Sequence, residues 1–188
     1  MDAGAPGSGK STLSTDLLAA IPGAVVVPMD GFHYYRAELD KFENREEAHR
    51  RRGAHWTFNA EKFVSGISDA RRSGSGVFPS FDHAAKDPKE DSIEVKPSHK
   101  VVIVEGLYLL MDLPPWNAIK DLLDVTFFLD CPEEEIKRRL VGRHMESMGL
   151  SAEEAVNRVV GSDLINAVEV MACKDRADCV IDGHARSA

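Results

Sequence analysis

Apolar, β-branched runs alternate with amphipathic stretches along this chain. Four runs read as short strands: Ala24–Val27, Val101–Val104, Val125–Leu129 and Cys179–Ile181. Each is nearly continuous in its apolar character, as a parallel strand covered on both faces requires. Helical patterns lie between them. Lys10–Ala20 places Leu13, Leu17 and Leu18 on one face and stops at Pro22-Gly23. Asn59 is a plausible N-cap for a helix with Phe63, Val64, Ile67 and Ala70 inside. Pro132 suits a first helical position and is followed by Glu133, Glu134 and Glu135 at the positive end of the helix dipole. Ser151 with Glu154 forms a capping box that opens another helix. The alternation predicts an α/β fold with a mostly parallel sheet.

Two segments break it. Gly31–Gly53 is polar and dense in charge. Gly74–Lys100 is rich in Gly, Pro, Asp and Ser, with strand-like pieces at Val77–Phe81 and Ser92–Val95. Both lie where an α/β enzyme carries its substrate loops, at about residues 31–58 and 77–95. The 188 residues, 43 % apolar and 29 % charged, suit one domain spanning 1–188. A net charge of −8 argues against a nucleic-acid or membrane-surface partner held by bulk attraction to phosphates. No apolar run approaches a membrane span, and no secretory leader pattern is expected. Three cysteines without metal-ligand spacing suit a reducing, cytoplasmic interior. A homodimer is compatible with the sequence, which leaves the oligomeric state open.

The candidate chemistry begins at Gly4-Ala5-Pro6-Gly7-Ser8-Gly9-Lys10-Ser11, a complete G-x-x-x-x-G-K-[ST] phosphate loop, with Thr12 next. Its glycines let successive N–H groups turn inward onto phosphate oxygens, and the helix that follows aims its N-terminus at the same anion. Lys10 is placed to reach the β and γ phosphates of ATP, and the Ser11 hydroxyl to ligate Mg²⁺. Only Met1, Asp2 and Ala3 precede Gly4. The strand that feeds the loop is therefore expected in the middle of the sheet, and truncated.

Ligands of open α/β sheets bind at the carboxyl ends of strands. Asp30 follows Val25-Val26-Val27-Pro28-Met29 and reads as the base for an attacking hydroxyl. Glu105 follows Val101–Val104 and reads as the acid that helps hold Mg²⁺. Asp130 reads better as a turn or cap residue. Arg139 and Arg143, four apart on one helix, could clamp a transferring phosphoryl group, although pattern alone fits a solvated face paired with Glu135 or Glu146. In the irregular segments His33, Arg52, Trp56 and His83 are candidates to face a substrate, each with an ordinary structural alternative.

Together, Gly4–Thr12, Pro28-Met29-Asp30-Gly31-Phe32-His33, Arg52–Phe58, Pro79-Ser80-Phe81-Asp82-His83, Lys86-Asp87-Pro88, Val104–Leu110 and Arg139–His144 resemble the P-loop kinases of the uridine kinase, phosphoribulokinase and type I pantothenate kinase superfamily. The likeness is greatest to the small proteins labelled nucleoside/nucleotide kinase family or fructose-transport kinase, and to their uridine-kinase-like fungal relatives. It covers nearly the whole chain. The resemblance implies a three-layer P-loop NTPase fold and ATP:Mg²⁺-dependent transfer to a small-molecule hydroxyl. It implies that Asp30 is the catalytic acid after the second strand, that Glu105 helps bind Mg²⁺, and that Arg139 and Arg143 belong to a lid at about 137–150. His83 and Arg52 would face the acceptor. The chain departs from the family pattern at Asn59, where an acid is usual, and at Ser162-Asp163-Leu164-Ile165-Asn166-Ala167. Lys86 stands where uridine kinases carry His, so uridine specificity does not transfer. The alternatives are a nucleotide-binding switch or interaction protein with little transfer, and an ATPase coupled to a partner.

Overall fold

The computed structural model describes residues 2–183. Five parallel strands form the main sheet: β1 (Asp2–Gly4), β2 (Ala24–Pro28), β5 (Val101–Gly106), β6 (Phe127–Asp130) and β7 (Cys179–Asp182), in the order β2-β5-β1-β6-β7. A separate antiparallel hairpin joins β3 (Gly76–Asp82) to β4 (Asp87–Val95). The helices are α1 (Lys10–Ala20), α2 (Arg36–Leu39), α3 (Arg45–Arg50), α4 (Ala60–Ser73), α5 (Glu133–Met148), α6 (Ala152–Arg158) and α7 (Leu164–Met171), the last two joined by a π-helical turn, Val159–Asp163.

Strand register decides which side chain faces which layer. Val27 lies opposite Val104, and Ala3 opposite both Gly106 and Phe128. Side chains alternate across a strand, so these residues share one face, where they join Phe63, Tyr108 and Trp116 in the larger core. Val26, Ile103, Glu105 and Leu129 turn to the other face, which carries α1. A smaller core of Ala5, Cys131, Ile136, Leu140, Val159 and Ala167 packs α5 and the π-helical turn beneath the phosphate loop.

The first strand is short and central, as expected. Asp2 pairs with Glu105 on one side and Phe127 on the other. Val101–Val104 therefore have β2 along one edge and, among the described residues, no strand along the other. An apolar slot of about 770 Å³ opens there, lined by Leu13 and Leu17 of α1, by Ile21 just after it, by Val101–Val104, and by Ile67 and Phe78. For this reason the predicted apolar face of α1 is only partly covered. Leu13 and Leu17 are half-buried, while Leu18 is exposed.

Several element boundaries differ from expectation: β2, β5 and β7 each run one or two residues past their apolar runs. The strand predicted over Val125–Leu129 is Phe127–Asp130. Thr126 is diverted, its N–H and hydroxyl donating to the Asp178 carboxylate at 2.8 and 2.7 Å, and its carbonyl accepting from Asp178 and Cys179. The strand-like pieces of the second irregular segment extend into the β3–β4 hairpin, in which β4 begins at Asp87, ahead of the expected Ser92–Val95. The polar first segment holds α2 and α3. Asn59 and Ser151 cap their helices as predicted, accepting from Lys62 and Glu154 backbone N–H groups.

Candidate active site

The phosphate loop joins β1 to α1. Gly7 and Gly9 take φ of +75° and +102°, conformations that side-chain-bearing residues rarely adopt. A Cβ on Gly7 would also stand 3.0 Å from Leu140 of α5. Lys10 is buried, and its ammonium donates to the Ala5 carbonyl at 2.9 Å, so the lysine lies folded along its own loop. Ser11 begins the exposed side of α1. Its Oγ lies 3.4 Å from both Oε1 and Oε2 of Glu105, which the register of β5 turns toward α1. A hydroxyl set symmetrically before a carboxylate is a hard oxygen pair, the donor chemistry that suits Mg²⁺ with waters and phosphates completing the shell.

Asp30 sits in the turn of 3-10 helix Met29–Phe32 that follows β2. The close approach of this turn to the hairpin explains the glycine beside it: a Cβ on Gly31 would fall 2.2 Å from the Pro79 carbonyl oxygen. The exposed Asp30 carboxylate faces the same cavity as the loop. That cavity, about 520 Å³, is lined by residues 6–13, Asp30, Glu105–Leu107, Leu129, Arg139, Arg143 and Ile181–Gly183. Gly4 and Ala5 are buried behind it. The cavity thus gathers Lys10, Ser11, Thr12, Asp30, Glu105, Arg139 and Arg143 at the carboxyl ends of β1, β2 and β5.

Arg139 reaches back from α5 over the loop, with Nη1 3.4 and 3.3 Å from the Gly7 and Ser8 carbonyls. Its Nε donates to Glu135 at 2.6 Å. Hydrogen bonds from Arg138 and Arg139 hold the Glu135 carboxyl down at about 2. Arg143, one turn on, is exposed at the cavity wall, while Arg138 pairs with Glu135 and faces solvent.

The expected acceptor residues do not line this cavity, and they separate into different roles. His33 stands next to the Asp30 turn, between the rings of Phe58 and Phe81. Arg52 acts as a brace instead of a free substrate ligand. Its Nη2 donates to the Tyr34 carbonyl and the Asp87 carboxylate, both at 2.8 Å, and its Nη1 to the Lys86 carbonyl. Burial lowers its pKa and Asp87 opposes that shift. Trp56 is 37 % exposed and leans on Phe42. His83 is exposed near the hairpin turn, edge-on to Phe81. Asp130 ends β6 and pairs with Lys174, a structural role as its sequence context implied.

Two features were missed in the sequence. Asp182 and Gly183 close the far end of the cavity, and the strand-end rule that singled out Asp30 and Glu105 applies equally to them. Tyr108, buried beneath the site, donates to the Gly53 carbonyl at 2.6 Å, and burial pushes its phenol far above the ordinary value. No sequence signal marks that bond, because 55 residues separate its partners.

Residues 3–187 match the phosphoribulokinase / uridine kinase family. A candidate uridine kinase of Schizosaccharomyces pombe is 42 % identical over 174 residues, covering 87 % of this chain and 74 % of its own. The crystal structure of a candidate fructose transport system kinase from Silicibacter sp. TM1040 superposes with a TM-score of 0.87 at 38 % identity, over 96 % of this chain and 88 % of its own. The structure of YFH7 from Saccharomyces cerevisiae, described as a candidate P-loop kinase with a circular permutation, gives 0.76 at 28 % identity, over 87 % of this chain and 59 % of its own.

Proposed function

This chain belongs to the phosphoribulokinase / uridine kinase family, and from that premise we propose that it transfers the terminal phosphoryl group of ATP to a hydroxyl of a small molecule. The observation that carries this reading is the single cavity shared by the phosphate loop, the Ser11–Glu105 pair and the Asp30 carboxylate. A nucleotide switch needs the first two. A carboxylate at the end of the neighbouring strand, facing the place where the terminal phosphate would lie, is what transfer to a hydroxyl adds.

The loop N–H groups and the start of α1 bind the phosphates. Lys10 exchanges its bond to the Ala5 carbonyl for the phosphate oxygens. Ser11 and Glu105 would hold Mg²⁺, which when bound would supply charge neutralisation to the phosphates. Asp30 orients the acceptor hydroxyl and takes its proton as that oxygen bonds to the γ phosphorus. The bridging oxygen leaves with ADP. Arg139 and Arg143 add positive charge where it builds up on the transferring oxygens. The His33–Phe58 and β3–β4 segments wall the acceptor side.

Asp30→Asn tests the assignment, with ADP release measured against a panel of small hydroxyl compounds. Acceptor-dependent release is expected to fall by about 10²–10⁴-fold while ATP binding survives. Undiminished transfer would remove Asp30 from the mechanism. ATP binding without stimulation by any acceptor would favour the switch reading.

A further inference from the structure

Two arginines of α5 line the nucleotide cavity, and they are held differently. Arg139 has its own fixings. Its Nε donates to Glu135 at 2.6 Å, and its Nη1 lies 3.4 and 3.3 Å from the Gly7 and Ser8 carbonyls. Among the described residues, no hydrogen bond or ion pair holds the Arg143 guanidinium. Its aim toward the cavity therefore depends on where the backbone of α5 stands. The next residue fixes that backbone. His144 is 6 % exposed, and its Nε2 lies 2.7 Å from Asp163 Oδ2. An ionised carboxylate only accepts, so Nε2 is the donor. Successive residues of a helix stand about 100° apart, so a clamp on His144 sets the depth and rotation of the turn that carries Arg143. Neither His144 nor Asp163 lines the cavity itself.

Asp163 is held firm in its turn. It ends the π-helical turn Val159–Asp163, and Val159 packs with Ile136 and Leu140 of α5. Such turns are rare and recur at functional sites. Residues ahead of α4 grasp the same strap from another side. Arg50 Nη1 donates to the Gly161 carbonyl at 3.3 Å, Arg51 Nη2 donates to Asn166 Oδ1 at 2.9 Å, and His55 Nδ1 lies 3.2 Å from Glu169 Oε2. We propose that Asp163 is a positioning residue for phosphoryl transfer: through His144 it aims Arg143 at the transferring phosphoryl group. This rests on the kinase reading and adds to it a pair that touches neither nucleotide nor acceptor. Negative charge on the transferring oxygens is stabilised most in the transition state, so a misaimed Arg143 costs kcat. Ground-state ATP binding, carried by the loop N–H groups and Lys10, is left nearly intact.

The test is a pair of double-variant cycles, read as ADP release from MgATP with D-ribose, uridine, D-glycerate or pantothenate, whichever is used fastest. Asp163→Ala is expected to lower kcat by about tenfold or more, with ATP affinity by calorimetry almost unchanged. Asp163→Asn keeps an acceptor for Nε2 and should recover most of the rate. In an Arg143→Ala background Asp163→Ala should cost nothing further, because the arginine it aims is gone. In an Arg139→Ala background it should cost its full factor, because Arg139 has its own partners. Should thermal unfolding show that Asp163→Ala folds poorly, Asp163→Ser replaces it: its hydroxyl is too short to reach the ring, and the same expectations apply. An unchanged kcat, or a full additional loss in the Arg143→Ala background, overturns the inference and leaves the kinase reading standing. A fall in stability with no loss of kcat does the same. If the unaltered protein releases no ADP with any of the four compounds, the kinase reading fails and the inference with it.

Discussion

Replacing Asp87 with Asn asks whether Arg52 holds the fold or the substrate. Arg52 belongs to the segment before α4, and Asp87 begins β4. Their 2.8 Å ion pair ties the hairpin to the segment that precedes α4, and the side chains are only 13 % and 25 % exposed. Asp87 also accepts from the Arg36 backbone N–H at 2.9 Å, so one carboxylate fastens two segments. Exposed pairs contribute about 0–1 kcal/mol, and stripping one partner from a buried pair costs about 3–5 kcal/mol. With both side chains mostly covered and the Arg52 guanidinium still bonded to two carbonyls, the loss should be about 2 kcal/mol. For a chain of this length that corresponds to a fall in Tm of about 4–8 °C. Urea denaturation of Asp87→Asn, Arg52→Met and the double variant measures the coupling directly. The double variant should lose less than the sum of the singles. If Asp87→Asn leaves stability within about 0.5 kcal/mol of the parent yet abolishes acceptor turnover, the brace interpretation is wrong and Arg52 serves the substrate.

Other outcomes follow from the same geometry. Gly7→Ala forces a side chain into a φ of +75° against Leu140, and nucleotide affinity measured by calorimetry should drop at least about tenfold, a cost of about 1–3 kcal/mol. Unaltered affinity would mean that the loop rearranges freely. The His33 imidazole, followed by NMR, should titrate below the ordinary 6.5 because burial disfavours its cation. Its folded pKa is depressed, so the unfolded chain binds the proton first, and the stability tied to this ring is complete above pH 6.5 and lost as pH falls through the folded value. A midpoint at or above 6.5 would show that the ring is not desolvated.

Much of the site was legible because its chemistry is local. The phosphate loop is a run of eight consecutive residues, and its glycines answer to backbone angles that no neighbour has to supply. Asp30 and Glu105 stand where acids at strand ends are expected, and Asp182, one residue beyond the apolar run Cys179–Ile181, obeys the same rule. Arg52 illustrates the opposite case. In sequence Arg52 is a candidate to face a substrate, but its partner lies 35 residues away at the start of β4, in a stretch without a strand-like pattern. Thr126 and Asp178, 52 residues apart, likewise shortened a strand that its apolar pattern had extended.

The residues in order determined the helix caps, the buried strands, the phosphate-binding turn and the presence of a short strand ahead of it. These depend on backbone preferences and on side-chain periods of two or nearly four, which act over a few positions. Only tertiary structure decided that Glu105 faces Ser11, that Arg139 lies over the loop, and that Arg52 is occupied by Tyr34, Lys86 and Asp87. Each of those depends on strand register and on packing between distant segments. A shift of one residue in register would turn Glu105 to the opposite face, and nothing within β5 alone records which face that is.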